Sequence, residues 1–232
     1  MARLARLSLP SQVHYVRVYG AADISLMPMF EDLDAMLSLF SKVVSLHHVD
    51  MTGYAILPSQ IDLLITPRNS AEDVSKFTQA FCRLYSRYFN DAYRRSGALW
   101  HGRFRSCVVQ GKDRCLNALL YMEWLPETKG YQEAVLYPWS SYSHHAGLRN
   151  DYFMAPGKEY WGLGNTPFER QKAYKVLFPE GYPKREGEDL EKHLIRGWPW
   201  ADREFLLENH VEPSRIWPER GRGRPRKSEI SN

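Results

Sequence analysis

Between Asp50 and Thr66 two short apolar runs, DMTGYAI and QIDLLIT, are separated only by Leu57-Pro58-Ser59. The Pro-Ser punctuation suits a tight hairpin between antiparallel strands. A central hairpin limits the fold sharply, because the flanking chain must supply the rest of its sheet. Upstream, Val13 to Tyr19 (VHYVRVY) alternates and reads as a strand, while Phe30 to Leu46 carries apolar residues at helical spacing. Downstream, Ser70 to Asn90 reads as a helix with Ser70 as N-cap and Glu72 and Asp73 in its first turn, where the dipole favours negative charge. The Gly-containing turn RRSGALWHGRF leads to a fourth strand near Phe104 to Val109, then to a third helix from Lys112 to Trp124 that Pro126 ends. The order strand, helix, strand, strand, helix, strand predicts an α+β, ferredoxin-like (split βαβ) antiparallel sheet. Helices on one face would leave the other open for a site.

After Trp139 the character changes. HHAGLRNDYFMAPGKEY reads as loop, NTPFERQKAYKVLF as a helix capped by Asn165 or Thr166, and EDLEKHLIRGW and ADREFLLENH as two shorter helices. The expected organisation is a sheet domain over 1–145, a helical extension over 146–217, and a basic Pro-, Gly- and Arg-rich tail over 218–232. That tail's composition predicts disorder in isolation. No internal repeat is visible. The cysteines, Cys82, Cys107 and Cys115, form no CxxC pair, which argues against a disulfide framework or zinc site and fits a reducing cytoplasm. The N-terminus lacks a signal peptide's apolar region, and no run reaches membrane-spanning length, so a soluble cytoplasmic protein without membrane partners is expected. The net charge of +4 leans only mildly towards polyanionic partners.

The third strand holds the anomaly. A period of two sends Ile61, Leu63 and Ile65 to one face, to be buried under helices, and Gln60, Asp62 and Leu64 to the other. Two polar side chains one strand repeat apart can reach a single point. Taken alone, the strand more often means two side chains facing water on a half-exposed sheet.

The surroundings change that balance. YAILPSQIDLLITP resembles the segment Tyr-x-x-Met-Pro-Asn-His-x-His-Leu-Leu of the REP-associated tyrosine transposases, relatives of the single-tyrosine, HUH-type insertion-sequence transposases. Tyr54, Leu57, Pro58, Leu63 and Leu64 keep the frame, and Gln60 and Asp62 stand where the family has its two metal-binding histidines. VHYVRVYG resembles the family's first strand, and LWHGRFRS (Leu99 to Ser106) its Leu-Trp-Gln-Gly-Arg-Phe-Lys-Ser turn. LLYMEWLPETKG (Leu119 to Gly130) resembles its helix ending Arg-Tyr-Ile-Glu-Leu-Asn-Pro-Val-Arg-Ala-Gly, and YPWSSYSHH (Tyr137 to His145) its Tyr-Pro-Trp-Ser-Ser-Tyr. The similarity continues through Arg196 to Trp198 to the basic tail.

The resemblance implies a single-strand nuclease and strand transferase for DNA transposition, acting on hairpin DNA through a tyrosine that forms a 5′-phosphotyrosine link. Mg²⁺ or Mn²⁺ would position the phosphate. By register the nucleophile is Tyr121. The plain alternative is a half-buried aromatic on an amphipathic helix. The departures are specific: both histidines are replaced, and Leu125, one turn beyond Tyr121, stands where the family often has a further ligand. One carboxylate and one amide oxygen remain, a set that a hard oxygen-loving ion would hold weakly. Impaired cleavage is therefore expected, with an active oxygen-ligand enzyme as the alternative. His47 and His48 read as helix-end residues, and His14 and His101 as ordinary polar positions.

DNA binding does not need the metal ligands. Arg94 and Arg95 at a loop, and Arg103 and Arg105 flanking Phe104, can neutralise phosphates. Trp100 could stack on unpaired bases, although core packing is the commoner use of such rings. In the tail, Arg222, Arg224, Arg226 and Lys227 within GRGRPRK resemble an AT-hook, an extended segment for narrow A·T-rich minor grooves. The family implied includes dimers that share active sites as well as monomers. A ferredoxin-like protein that oligomerises or binds a small molecule is the reading outside nucleic acids.

Overall fold

The computed structural model describes residues 6–178, 181 and 183–216; the basic tail lies outside them. Four strands, β1 (Val13–Tyr19), β2 (Val49–Leu57), β3 (Gln60–Pro67) and β4 (Arg105–Val109), form one sheet in the order β2-β3-β1-β4. Every neighbouring pair is antiparallel. This is the split βαβ order that the sequence predicts. The β2–β3 hairpin closes at Pro58-Ser59 as expected, with Leu57 opposite Gln60.

Two helices, α1 (Phe30–Leu46) and α2 (Asp73–Ala92), cover one face. Their apolar stripes meet Val16 and Val18 of β1 and Ile61, Leu63 and Ile65 of β3 in a core that includes Phe40, Phe77 and Phe81. The second helix begins later than predicted. Ser70 sits in a turn before it, with the Ser70 amide donating to Asp73 Oδ2 (2.9 Å) and the Glu72 amide to Ser70 Oγ (3.2 Å).

The other face is not open, contrary to expectation. It is covered by α3 (Lys112–Thr128) and by α7 (Lys184–Arg196) of the extension, while α5 (Lys158–Trp161) packs against α3. These form a second core in which Tyr15, Leu64 and Cys107 from the sheet meet Leu119, Met122, Tyr174, Phe178, Leu190 and Leu194. Gly53 permits this approach: a Cβ there would lie 2.5 Å from Met122 Cε and 2.6 Å from Leu119 Cδ1. α3 also runs through Pro126, where a stop was predicted. Pro126 cannot donate back to the Met122 carbonyl, but it falls in the last turn, where little helix remains to disrupt.

Among the described residues the remaining α-helices are α4 (Tyr142–His145), α6 (Pro167–Leu177) and α8 (Arg203–Glu208). Thr166 caps α6 as predicted, in a capping box with Glu169. A buried carboxylate on α3 gathers the α4 segment and the extension: Glu123 accepts from Ser141 Oγ (2.6 Å), His145 Nδ1 (2.8 Å) and, from α6, Tyr174 Oη (2.6 Å). No helix among the described residues is long and apolar enough to cross a membrane.

Candidate functional site

The alternation of β3 sets Gln60, Asp62 and Leu64 on the face opposite Ile61, Leu63 and Ile65, as predicted, but α3 covers that face, and Gln60 and Asp62 are buried there rather than wet. The same alternation on β1 brings Tyr15 and Arg17 to this face, and the β1–β3 register sets Arg17 opposite Asp62. The Arg17 guanidinium donates from Nε to Asp62 Oδ1 (2.5 Å) and from Nη1 to Glu191 Oε1 on α7 (2.5 Å). Tyr121, projecting from α3, donates its hydroxyl to that same Glu191 oxygen. The Gln60 amide donates to Asp62 Oδ2 (2.5 Å), and the Tyr15 and Tyr121 rings lie 6.2 Å apart.

Gln60, Asp62 and Tyr121 are therefore brought together, but through intermediates. A continuous chain runs Gln60–Asp62–Arg17–Glu191–Tyr121, with its two anions on either side of one cation. Burial alone would lower the Arg17 pKa; Asp62 leads the neighbours that more than offset this, and the guanidinium stays charged. Burial pushes the Asp62 carboxyl up, against the opposing pull of Arg17. Burial also pushes the Tyr121 phenol well above its ordinary value; Arg17 opposes that rise and Glu191 adds to it. A phenol in this state gives less phenolate at neutral pH than a free tyrosine.

The donor set does not suit a divalent ion. An ionised carboxylate only accepts, so Gln60 must turn its nitrogen towards Asp62 and its carbonyl elsewhere. Leu125 is buried beyond Tyr121 and brings no ligand atom. Among the described residues, no group of three or more His, Cys, Asp or Glu side chains is arranged to hold a metal. The space between the anions already holds a cation, the guanidinium of Arg17.

Reasoning from sequence missed Arg17, Glu191 and Tyr15. Arg17 carried a signal, since a charged residue in a central strand needs a buried partner. Glu191 carried none, being 174 residues from Arg17.

The predicted phosphate-binding residues separate. Arg103 and Arg105 line one cleft of about 900 Å³ on the edge of this second face. Arg94 and Arg95 lie elsewhere, after α2, with the Arg95 guanidinium 5.6 Å from the Phe89 ring centre. Trp100 packs against Phe81 and Tyr85 and donates Nε1–H to the Cys82 carbonyl (2.9 Å), a packing use of the ring. His14 is fully buried rather than an ordinary polar position. Its ring bonds to the Gln12 carbonyl (2.8 Å) and the Leu9 amide (3.2 Å). Arg222, Arg224, Arg226 and Lys227 lie outside the described residues.

Among solved structures, the chain resembles that of the REP-associated tyrosine transposase bound to a REP hairpin, with a TM-score of 0.55 over 68% of this chain and 93% of that one. The chain has the fold of that transposase. Identity between the two is 15%, so the likeness lies in backbone architecture. A protein from Deinococcus radiodurans R1, described as a candidate transposase, aligns over 57% of this chain and 98% of that one, at 13% identity and a TM-score of 0.34. No protein-family model matches the chain, and no curated protein does.

Proposed function

We propose that this chain is a DNA-binding protein built on the transposase fold, that it recognises hairpin or repeat DNA, and that its strand-cleaving chemistry is impaired. One observation carries the impairment: the Arg17 guanidinium sits between Asp62 and Glu191, and the latter also holds the Tyr121 hydroxyl. Mg²⁺ or Mn²⁺ at Gln60 and Asp62 would have to displace a buried, charge-paired arginine. A scissile phosphate would have to displace Glu191 to reach Tyr121. Both steps would separate groups already matched to one another and leave a buried charge without its partner.

Support for DNA as the partner comes from the fold shared with a transposase that binds a hairpin, and from the arginine-lined cleft beside the buried centre. The tail residues Arg222, Arg224, Arg226 and Lys227 would add affinity for A·T-rich duplex. The convergence of Gln60, Asp62 and Tyr121 favours a second reading, a nicking enzyme whose centre opens when α7 withdraws.

Hairpin-flanked single-stranded DNA with Mg²⁺ or Mn²⁺ separates the two. The expected result is retarded DNA without a covalent protein–DNA adduct. An adduct that disappears in Tyr121→Phe would establish the nicking enzyme instead. Failure to retard hairpin, duplex or single-stranded DNA would end both readings.

A further inference from the structure

The helical extension has a cavity of its own, about 470 Å³, where the end of α4, α5 and the first turns of α6 meet. It shares no lining residue with the arginine-lined cleft or with the chain from Gln60 to Tyr121. Its volume falls in the range of small-molecule sites. Among the described residues, Arg149 and Arg170 line it and no Asp or Glu does.

The two arginines differ. Arg149 is matched: it donates to Asp151 from Nε (2.8 Å) and Nη2 (3.0 Å), and to the Pro138 carbonyl from Nη1 (2.6 Å). Arg170 is not matched. Its side chain is buried, with the residue only 5% exposed, yet among the described residues no carboxylate lies within ion-pair distance of it. The adjacent Glu169 carboxylate is spent on the Asn165 amide (2.8 Å) and the Thr166 amide (3.0 Å). An arginine buried this deeply ordinarily has an anion beside it, because a lone buried charge is costly.

The open part of Arg170 has a definite shape. Nη1 donates to the Gly164 carbonyl (3.0 Å), and the guanidinium carbon lies 3.9 Å from the Trp161 ring centre. The indole is itself fixed by its Nε1–H bond to the Pro156 carbonyl (3.0 Å). Nε and Nη2 remain. They form one edge of the guanidinium, whose two parallel N–H bonds match the two oxygens of a carboxylate. Neither nitrogen is sealed from solvent, and the cavity is the space that Arg170 lines. His144 adds a donor without adding charge: its Nδ1 accepts from the Asp151 amide (3.1 Å), which leaves the proton on Nε2, and burial holds its pKa down to about 4.

We propose that this cavity binds a small organic monocarboxylate, its oxygens on the Nε–Nη2 edge of Arg170 and its apolar body against Trp161, Pro156 and Pro167. Charge decides the class. Asp151 already balances Arg149, so one positive charge is left to be matched, whereas a phosphate monoester brings about two negative charges at neutral pH. The inference goes beyond the DNA-binding reading and does not depend on it.

Thermal melting and saturation-transfer NMR on the full chain test it, with benzoate, indole-3-acetate, benzamide and phenyl phosphate as probes. Both carboxylates should raise the melting temperature progressively with concentration and show saturation transfer. Benzamide, which has benzoate's shape without its charge, should bind roughly tenfold more weakly or worse, and phenyl phosphate no better than benzoate. Arg170→Gln should abolish transfer to benzoate; Arg170→Lys keeps the charge but loses the two-bond edge and should weaken binding roughly fivefold or more. Trp161→Leu, at an exposed position that leaves folding intact, should weaken it roughly threefold, and carries the test if the Arg170 variants do not fold. Arg87→Gln, exposed on α2 and outside the cavity, should change nothing. Benzoate binding that Trp161→Leu and the folded Arg170 variants leave unmoved would overturn the site. Benzamide binding as well as benzoate, or phenyl phosphate binding more tightly, would overturn the monocarboxylate. Neither carboxylate binding would end the inference, and DNA retardation would be untouched by that result.

Discussion

The two faces of the sheet are both buried, yet they are built differently. Under α1 and α2 the contacts are mostly Val, Ile, Leu, Met and Phe side chains, with Tyr54 and Tyr85 among them and the Phe40 and Phe81 rings 4.6 Å apart. Under α3 and α7 the apolar contacts surround a line of charge from Asp62 through Arg17 to Glu191. Most of the first face tolerates close-packed filling of the right volume; His14 and Tyr54, whose buried polar atoms are hydrogen-bonded, are exceptions. The second works only when each charged partner is present, because a buried charge left alone is costly. A binding site that has kept its polar residues but lost its access would look like the second face.

The contrast can be broken most directly at Arg17. Arg17→Ala leaves Asp62 buried without its cation and should cost about 3–5 kcal/mol in urea unfolding. Arg17→Met combined with Asp62→Leu should recover much of that loss. A small effect of the single change would mean that water reaches the centre.

The next effect concerns pH, and its source lies on the other face. Burial lowers the His14 pKa to about 4 from 6.5, against a smaller opposing effect of its bond to the Gln12 carbonyl. The folded value is below the unfolded one, so the unfolded chain binds more protons between these limits. The stabilisation from a neutral His14 is present above pH 6.5 and is lost as pH falls towards 4. The full loss should be roughly 3 kcal/mol, from 1.36 kcal/mol per pH unit. Urea midpoints at intervals from pH 7 to pH 4.5 should therefore decline in the wild type and less steeply in His14→Gln.

Smaller changes sharpen the comparison further. Tyr121→Phe removes a hydroxyl from Glu191 but leaves Glu191 paired with Arg17. A loss of about 1 kcal/mol is expected; a loss as large as that of Arg17→Ala would make the tyrosine part of the charge balance. Ile61→Val on the apolar face should cost about 0.5–1.5 kcal/mol, with no change in DNA retardation. A change in retardation would show that the faces are coupled.

Much of this architecture was legible because it is encoded over short distances. The alternation in Gln60 to Thr66 assigned Ile61 and Asp62 to opposite faces correctly, and Thr166 with Glu169 marked the start of α6. The Pro126 signal misled because a proline penalty depends on how much helix follows it. The prediction of an open second face failed for a different reason. The apolar stripe of α7, with Leu190 and Leu194 buried, announces that the helix packs somewhere, but a stripe does not name its partner.

Local pattern by itself determined the strands, the main helices, their order, and the pairing of Gln60 with Asp62 on one side of β3. Hydrophobic periodicity and turn chemistry act over a few residues, so one chain suffices to read them. Only the tertiary structure decided that this side would be roofed by α7, and that Arg17 and Glu191 would stand between Asp62 and Tyr121. Those contacts join segments up to 174 residues apart; charge complementarity selects such partners only after the chain has brought them within reach.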